Sequence, residues 1–196
     1  MIFERHVCGR IKTNIYIIGD SETKNVAVID AGDGIEPLPS IIKEKGYNVK
    51  RILLTHGHPD HVEGAALARA TLNAPVAISE NELSYVDSFT ADEIIHDGDE
   101  FTLDSLKIKA IATPGHTPGG MCYLVGDILF SGDTLFYGEV GRCDLRGGNF
   151  EILKNSIKVK LFTLPENTKV YPGHHKDTTI GFEKANNPYL NGKYNI

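Results

Sequence analysis

Four apolar stretches of this chain end the same way, at a glycine beside a histidine or an aspartate, and that repetition constrains the fold more than any other feature. They are Arg51-Ile52-Leu53-Leu54-Thr55-His56-Gly57-His58, Ile111-Ala112-Thr113-Pro114-Gly115-His116, Ile128-Leu129-Phe130-Ser131-Gly132-Asp133 and Lys169-Val170-Tyr171-Pro172-Gly173-His174. Short apolar runs bounded by turn residues read as buried strands. Glycine lets the chain turn tightly at each end. Strands that deliver His and Asp into loops at one rim of a sheet converge on one site, held by a rigid scaffold.

The remaining pattern mixes strands with helices. Strands are expected at Ile2–Val7, Asn14–Ile18, Val26–Ile29, Lys50–Thr55, Val76–Ile78, Leu106–Ala112, Met121–Val125, Ile128–Ser131 and Lys169–Tyr171. Helices are expected at Pro37–Lys45, closed by Gly46, then at His61–Leu72, Glu80–Val86, Phe150–Phe162 and from Thr178 to Ala185. Several strands are apolar on both faces, which favours sheets covered by helices, an α/β layered fold. No low-complexity tract or composition break marks a linker, so residues 1–196 read as a single domain.

The densest chemical signal is His56-Gly57-His58-Pro59-Asp60-His61. Imidazole and carboxylate suit zinc, manganese or iron. Packed this closely, the four side chains cannot all serve one ion. The natural split sends His56 and His58 to one metal and Asp60 and His61 to a second. His116 and His174 can complete the two sets, and Asp133, with two oxygens, can bridge. Two ions so held can share and activate a hydroxide. A single histidine after a strand is most often a surface or capping residue. The cluster differs, because burying it without metal would leave polar groups unsatisfied.

These motifs resemble a known family. Thr55-His56-Gly57-His58-Pro59-Asp60-His61, followed by Gly64, is similar to the metal motif of the metallo-beta-lactamase fold superfamily. Asn14-Ile15-Tyr16 and Ile29-Asp30-Ala31-Gly32-Asp33 resemble its opening strands. Thr113-Pro114-Gly115-His116-Thr117-Pro118-Gly119 and Ser131-Gly132-Asp133-Thr134-Leu135-Phe136 resemble its central motifs. Tyr171-Pro172-Gly173-His174, Thr178-Thr179-Ile180-Gly181-Phe182-Glu183 and Asn187-Pro188-Tyr189-Leu190 are similar to the ending of small glyoxalase II-like (hydroxyacylglutathione hydrolase-like) members. The resemblance implies an αββα four-layer sandwich of two mixed sheets flanked by helices. It implies two divalent ions, zinc first with iron or manganese as alternatives. His56, His58 and His116 would hold one, Asp60, His61 and His174 the other, and Asp133 would bridge; the carboxylates Asp60 and Asp133 are the candidate catalytic residues. It also gives Asp30 a supporting role behind the ligands, against the plainer reading of a turn-capping aspartate.

The implied activity is hydrolysis of a thioester, of which a glutathione conjugate is one form, by a metal-bridging hydroxide. Persulfide dioxygenases share these motifs with a single iron, whose ligands here would be His56, His116 and Asp133; lactone or β-lactam hydrolysis is a further alternative on the same site. A non-catalytic metal-binding module is disfavoured, because none of the seven ligands is missing. Arg142 and Tyr137 are candidate substrate contacts, through a guanidinium for an anion and a phenol for an oxyanion, each weighed against a surface or packing role. Cys143 reads as a small hydrophobe, and His6 and His96 as structural. His175 stands where the family more often has glycine and reads as solvent-facing. The chain ends soon after the last helix, which leads to an expectation of weak selection for glutathione.

Composition narrows the partners. Net charge is −6, with Lys and Arg scattered, so nucleic acid and the nucleases of this superfamily are disfavoured. No apolar run reaches membrane-spanning length and the N-terminus lacks an apolar signal segment, so neither membrane association nor secretion is expected. Three cysteines without a C-x-x-C pair point to a reducing, cytoplasmic setting. The sequence leaves oligomeric state open.

Overall fold

A computed structural model describes residues 1–194. Two six-stranded mixed sheets pack face to face. The first contains β1 (Ile2–Cys8), β2 (Thr13–Gly19), β3 (Asn25–Ile29), β4 (Asn48–Leu53), β5 (Val76–Ser79) and β6 (Glu93–Ile95), neighbours in that order. The second contains β7 (Glu100–Leu103), β8 (Leu106–Ala112), β9 (Met121–Val125), β10 (Ile128–Gly132), β11 (Lys169–Pro172) and β12 (Thr178–Thr179), again in chain order across the sheet. Helices α1 (Leu38–Lys45), α2 (Pro59–Val62) and α3 (Ala65–Leu72) accompany the first sheet; α4 (Phe150–Val159) and α5 (Ile180–Asn186) accompany the second.

Three apolar clusters define four layers. Tyr16, Ile18, Ile29 and Leu53 of the first sheet meet Ile108, Tyr123 and Phe130 of the second in the central layer. The other face of the first sheet, with Ile15, Ile17, Val28 and Ile52, packs on Leu38, Ile42, Ala65 and Ala68 of the helices. The outer face of the second, with Ile111, Leu129 and Val170, packs on Leu153, Ile157 and Ile180. Both faces of each sheet are covered, which explains why the middle strands are apolar throughout rather than alternating. This is the αββα sandwich that the resemblance implies.

The site is placed by strand direction. β3 and β4 are parallel, and so are β10 and β11. Their carboxyl ends open onto the same rim, where ligands sit in open α/β sheets. Main-chain carbonyls join the sheets there: Tyr123 donates its hydroxyl to Leu54 O at 2.6 Å, and Tyr16 its hydroxyl to Pro172 O at 2.7 Å. Asn14 Nδ2 reaches Pro172 O at 2.9 Å.

Several elements differ from the sequence reading. The helix expected over His61–Leu72 breaks at Gly64, where a Cβ would strike Ile35 and the carbonyl of Gly32 and where the main-chain N–H donates to Ala31 O at 2.9 Å. It also begins earlier, at Pro59, whose fixed φ suits a first helical position. Residues Glu80–Tyr85 form a 3-10 turn rather than an α-helix. The Phe150 helix stops at Val159 and is followed by a short 3-10 turn. Thr178 and Thr179 pair with β11 before α5 begins, Thr179 capping Phe182 N–H at 3.1 Å. Strands β6 and β7 carry Glu93 and Glu100 and lack the apolar density that marks the others.

Candidate metal centre

All seven histidines and aspartates expected at the rim meet there. His56, His58 and Asp60–His61 follow β4, His116 follows β8, Asp133 follows β10 and His174 follows β11. His58 Nδ1 lies 3.1 Å from His56 Nε2 and 2.9 Å from His116 Nε2. Asp60 Oδ2 lies 3.2 Å from His61 Nε2 and 3.1 Å from His174 Nε2, and those two nitrogens are 3.4 Å apart. Asp133 stands between the triads, with Oδ1 3.4 Å from His61 Nε2 and Oδ2 3.6 Å from both His116 Nε2 and His174 Nε2.

Hydrogen bonds behind the rings decide which nitrogens face inward. His116 Nδ1 donates to Arg142 O at 2.7 Å. Thr55 Oγ1 donates to Asp30 Oδ2 at 3.0 Å and so accepts from His56 Nδ1, also at 3.0 Å. The Nε2 atoms of His56 and His116 are therefore the nitrogens turned inward, and one proton on His58 Nδ1 cannot serve both. Burial, reinforced by the neighbouring imidazoles, depresses His56 well below the usual histidine value and His58 to about 4. Three imidazoles with converging ring nitrogens are a nitrogen donor set for a borderline cation.

The second triad is charged. Burial opposes charge on His61, but Asp133 and Asp30 outweigh it and raise the imidazole above its ordinary value. His174 is likewise raised, by Asp60 and Asp133 against the effect of burial. Asp60 and Asp133 are held below the carboxylate range: burial opposes this, and His174 with His61 dominates at the first, His61 at the second. Oδ1 of Asp133 is buried and accepts no hydrogen bond among the described residues. A buried carboxylate oxygen with no hydrogen bond, facing His61 Nε2 at 3.4 Å, is a place a cation would stabilise. The donor set and this orphan oxygen both fit metal.

Asp30 directly follows β3 in the left-handed region, with φ 63, a conformation asparagine and aspartate tolerate better than most residues. It accepts Thr55 N–H at 2.7 Å and His61 Nδ1–H at 2.8 Å. It thus turns the chain and also sets the His61 ring. Gly173 is held open by its neighbours, since a Cβ there would run into Asp133 Oδ1 and His61 Cε1.

The other candidates lie outside the cluster. The Arg142 guanidinium pairs with Asp144 at 2.8 and 2.7 Å, and both side chains are exposed; it is the carbonyl, at His116 Nδ1, that touches the cluster. Tyr137 stacks on Phe182 with ring centroids 4.7 Å apart and carries Lys176 Nζ 3.5 Å above its ring. Cys143 is half-buried, and burial pushes its thiol up to about 11. His175 is exposed in a left-handed conformation, φ 65, which explains why glycine suits that position. His6 bonds Glu4, and His96 is exposed on a turn. Residues not singled out in the sequence also serve the site: Thr13 donates its hydroxyl to Asp60 Oδ2 at 2.9 Å, and buried Glu82 accepts the N–H of Gly57 and of Gly119. Neither carries a local motif that separates it from ordinary surface residues.

Clefts flank the cluster. One, of about 290 Å³, runs past Arg10, Ile11, Thr13 and Asp60. Another, of about 370 Å³, is lined by Val140, Arg142, Cys143, Phe150 and Tyr189. No helix among the described residues is long and apolar enough to cross a membrane.

A four-layer sandwich with two His/Asp triads at one rim defines a metalloprotein of the α/β class. A family model described as the metallo-beta-lactamase superfamily matches residues 8–174. The chain is 36% identical to the probable metallo-hydrolase YqgX of Bacillus subtilis (strain 168), over 98% of this chain and 99% of that one. It is 35% identical to hydroxyacylglutathione hydrolase GloC of Haemophilus influenzae (strain ATCC 51907 / DSM 11121 / KW20 / Rd), over 92% and 93%. Among solved structures it superposes on the BLEG-1 B3 metallo-beta-lactamase with TM-score 0.91 and 33% identity, covering 96% and 99%. It matches TTHA1623 in a di-iron-bound form with TM-score 0.86 and 31% identity, covering 95% and 100%. The chain belongs to the metallo-beta-lactamase superfamily and is a metallo-hydrolase within it.

Proposed function

We propose that the chain hydrolyses thioesters at a pair of divalent ions, in the manner of glyoxalase II-like enzymes. The observation that carries this reading is the presence of two complete donor triads sharing Asp133. His56, His58 and His116 would hold one ion, Asp60, His61 and His174 the other. Zinc fits the nitrogen-rich first triad; iron or manganese fits the second as well, and the di-iron relative supports a pair. Such a pair, when bound, supplies an activated water and polarises the thioester carbonyl.

The chain's own residues do the rest. Asp30, Thr55 and the Arg142 carbonyl fix the imidazoles from behind, so the ring nitrogens need no reorientation during the reaction. Thr13 fixes Asp60 Oδ2. A thioester has two arms, and the two clefts offer one place for each. Water adds to the carbonyl carbon, the C–S bond breaks, and the products are a carboxylate and a thiol. The leaving thiolate needs little acid assistance, because a thiol pKa lies near 8.5. Similarity to GloC supports a glutathione thioester as one substrate. Unpaired Cys8, Cys122 and Cys143 suit a cytoplasmic setting.

The test couples elemental analysis of the purified protein to thiol release and oxygen uptake. Two metal equivalents with thiol release and no oxygen consumption are expected. One iron per chain with oxygen uptake on a persulfide would overturn the reading in favour of a dioxygenase using His56, His116 and Asp133. Lactone or β-lactam turnover without thioester turnover would move the substrate class and leave the site.

A further inference from the structure

Glu82 is fully buried, on a 3-10 turn after β5, yet among the described residues its carboxylate hydrogen-bonds none of the seven rim side chains. Its Oε2 accepts the N–H of Gly57 at 2.7 Å, and its Oε1 accepts the N–H of Gly119 at 2.6 Å. Gly57 lies between His56 and His58. Gly119 lies three residues after His116. One carboxylate thus ties the segment after β4, at a point between His56 and His58, to the loop of His116, and neither oxygen bonds the α2 turn of Asp60 and His61 or the loop of His174. The glycines are fitted to it: a Cβ at Gly57 would stand 2.9 Å from Oε2, and one at Gly119 2.9 Å from Oε1.

Both partners are neutral peptide donors, so the arrangement buries a carboxylate whose charge they do not neutralise. A carboxylate in such a place is costly, and a carboxamide would be cheaper if only packing were needed. A carboxylate can accept from both N–H groups at once; a carboxamide has one accepting oxygen. The three imidazoles are neutral ligands, so an ion among them gains no charge compensation from its own triad. We infer that Glu82 is a positioning residue for the three-imidazole site: it fixes the spacing of the His56–His58 and His116 loops before metal arrives and places a negative charge beside a site whose ligands have none.

The inference rests on the two-triad reading of the metal centre and not on the identity of the substrate. It is read with a chelator titration, so a protein that binds two metals and hydrolyses no thioester still tests it. Zinc affinity is measured in two backgrounds. With His174→Ala the intact triad is the three-imidazole one, and there Glu82→Gln is expected to weaken zinc about 10–100-fold. With His116→Ala the intact triad is Asp60, His61 and His174, and there the same change is expected to stay within about twofold, as for sites with no shared partner. Exposed Glu80, on the same turn, is the control, and Glu80→Gln should leave both values unchanged. Equal losses in the two backgrounds, or no loss in the first, would overturn the assignment. Should Glu82→Gln not fold, Gly119→Ala makes the same comparison with the charge intact, because its Cβ presses on Glu82 Cγ at 2.8 Å. Hydrogen exchange of the metal-free wild-type protein is independent of any variant: the Gly57 and Gly119 amides should be protected, and rapid exchange at both would refute a preformed tie.

Discussion

Replacing Asp30 by asparagine isolates the chemistry of one hydrogen bond. Asn keeps the shape of Asp and tolerates the left-handed backbone at φ 63, so the turn after β3 survives. Its Oδ1 can still accept the Thr55 N–H, as Asp30 does at 2.7 Å. Its NH₂ then occupies the position of Oδ2, which now accepts both Thr55 Oγ1 at 3.0 Å and His61 Nδ1 at 2.8 Å. A donor meets a donor at His61. The ring must move its proton to Nε2, the nitrogen that faces Asp60, His174 and Asp133. The second triad then offers two donors instead of three. Loss of such an outer partner costs about 10–100-fold in metal affinity, or about 1.4–2.8 kcal/mol at about 1.4 kcal/mol per tenfold. Chelator competition on the His116→Ala background, where the Asp60–His61–His174 triad remains, measures it. Asp30→Ala should add a loss of about 1–2 kcal/mol in stability, because alanine resists that backbone conformation; this is read from denaturant midpoints. An Asp30→Asn protein that keeps wild-type affinity at the second site would refute the claim that Asp30 fixes the His61 tautomer.

Other expectations follow from the same geometry. His61 and His174 have raised pKa values in the metal-free protein, so metal uptake must release their protons; affinity should fall as pH drops through neutrality, and calorimetry in buffers of different ionisation enthalpy should detect the release. A raised histidine stabilises the fold fully below its unfolded value of 6.5 and loses that contribution as pH rises through its folded value, so the Tm of the metal-free protein should decline as pH climbs past neutrality; an unchanged Tm would count against the charged triad. Asp133→Ala should lose more turnover at saturating metal than His174→Ala, because Asp133 faces both triads; steady-state kinetics decide. Arg142→Ala should raise KM for anionic thioesters more than it lowers kcat. Asp144→Asn should do the reverse by releasing Arg142 from its exposed pair; such pairs are worth about 0.2–1 kcal/mol, so KM should drop by up to about fivefold.

The rim residues were legible because their pattern is local. An apolar strand, a glycine and a ligand repeat four times, and His56 to His61 compress four donors into six positions. Short-range order of that kind survives in a one-dimensional string. The layers were legible for a similar reason, since strands covered on both faces are apolar at every position. Other features were not. β6 and β7 are short and carry charged residues, and only their place beside β5 and β8 makes them strands. The break at Gly64 reflects Ile35 and Gly32 pressing from elsewhere in the chain. Arg142 sits nine positions after Asp133, yet its side chain turns to Asp144 while its carbonyl holds His116. Glu82 is one of several glutamates in an unremarkable stretch, and its role depends on two amides 25 and 37 residues away. The side chains that gather at the rim could be picked out from the chain alone, because the identity of each candidate ligand is written residue by residue. Which nitrogen of each ring faces inward, and what holds it there, came from the fold, because the tautomer is set through partners such as Asp30 and the Arg142 carbonyl that lie far away in the chain.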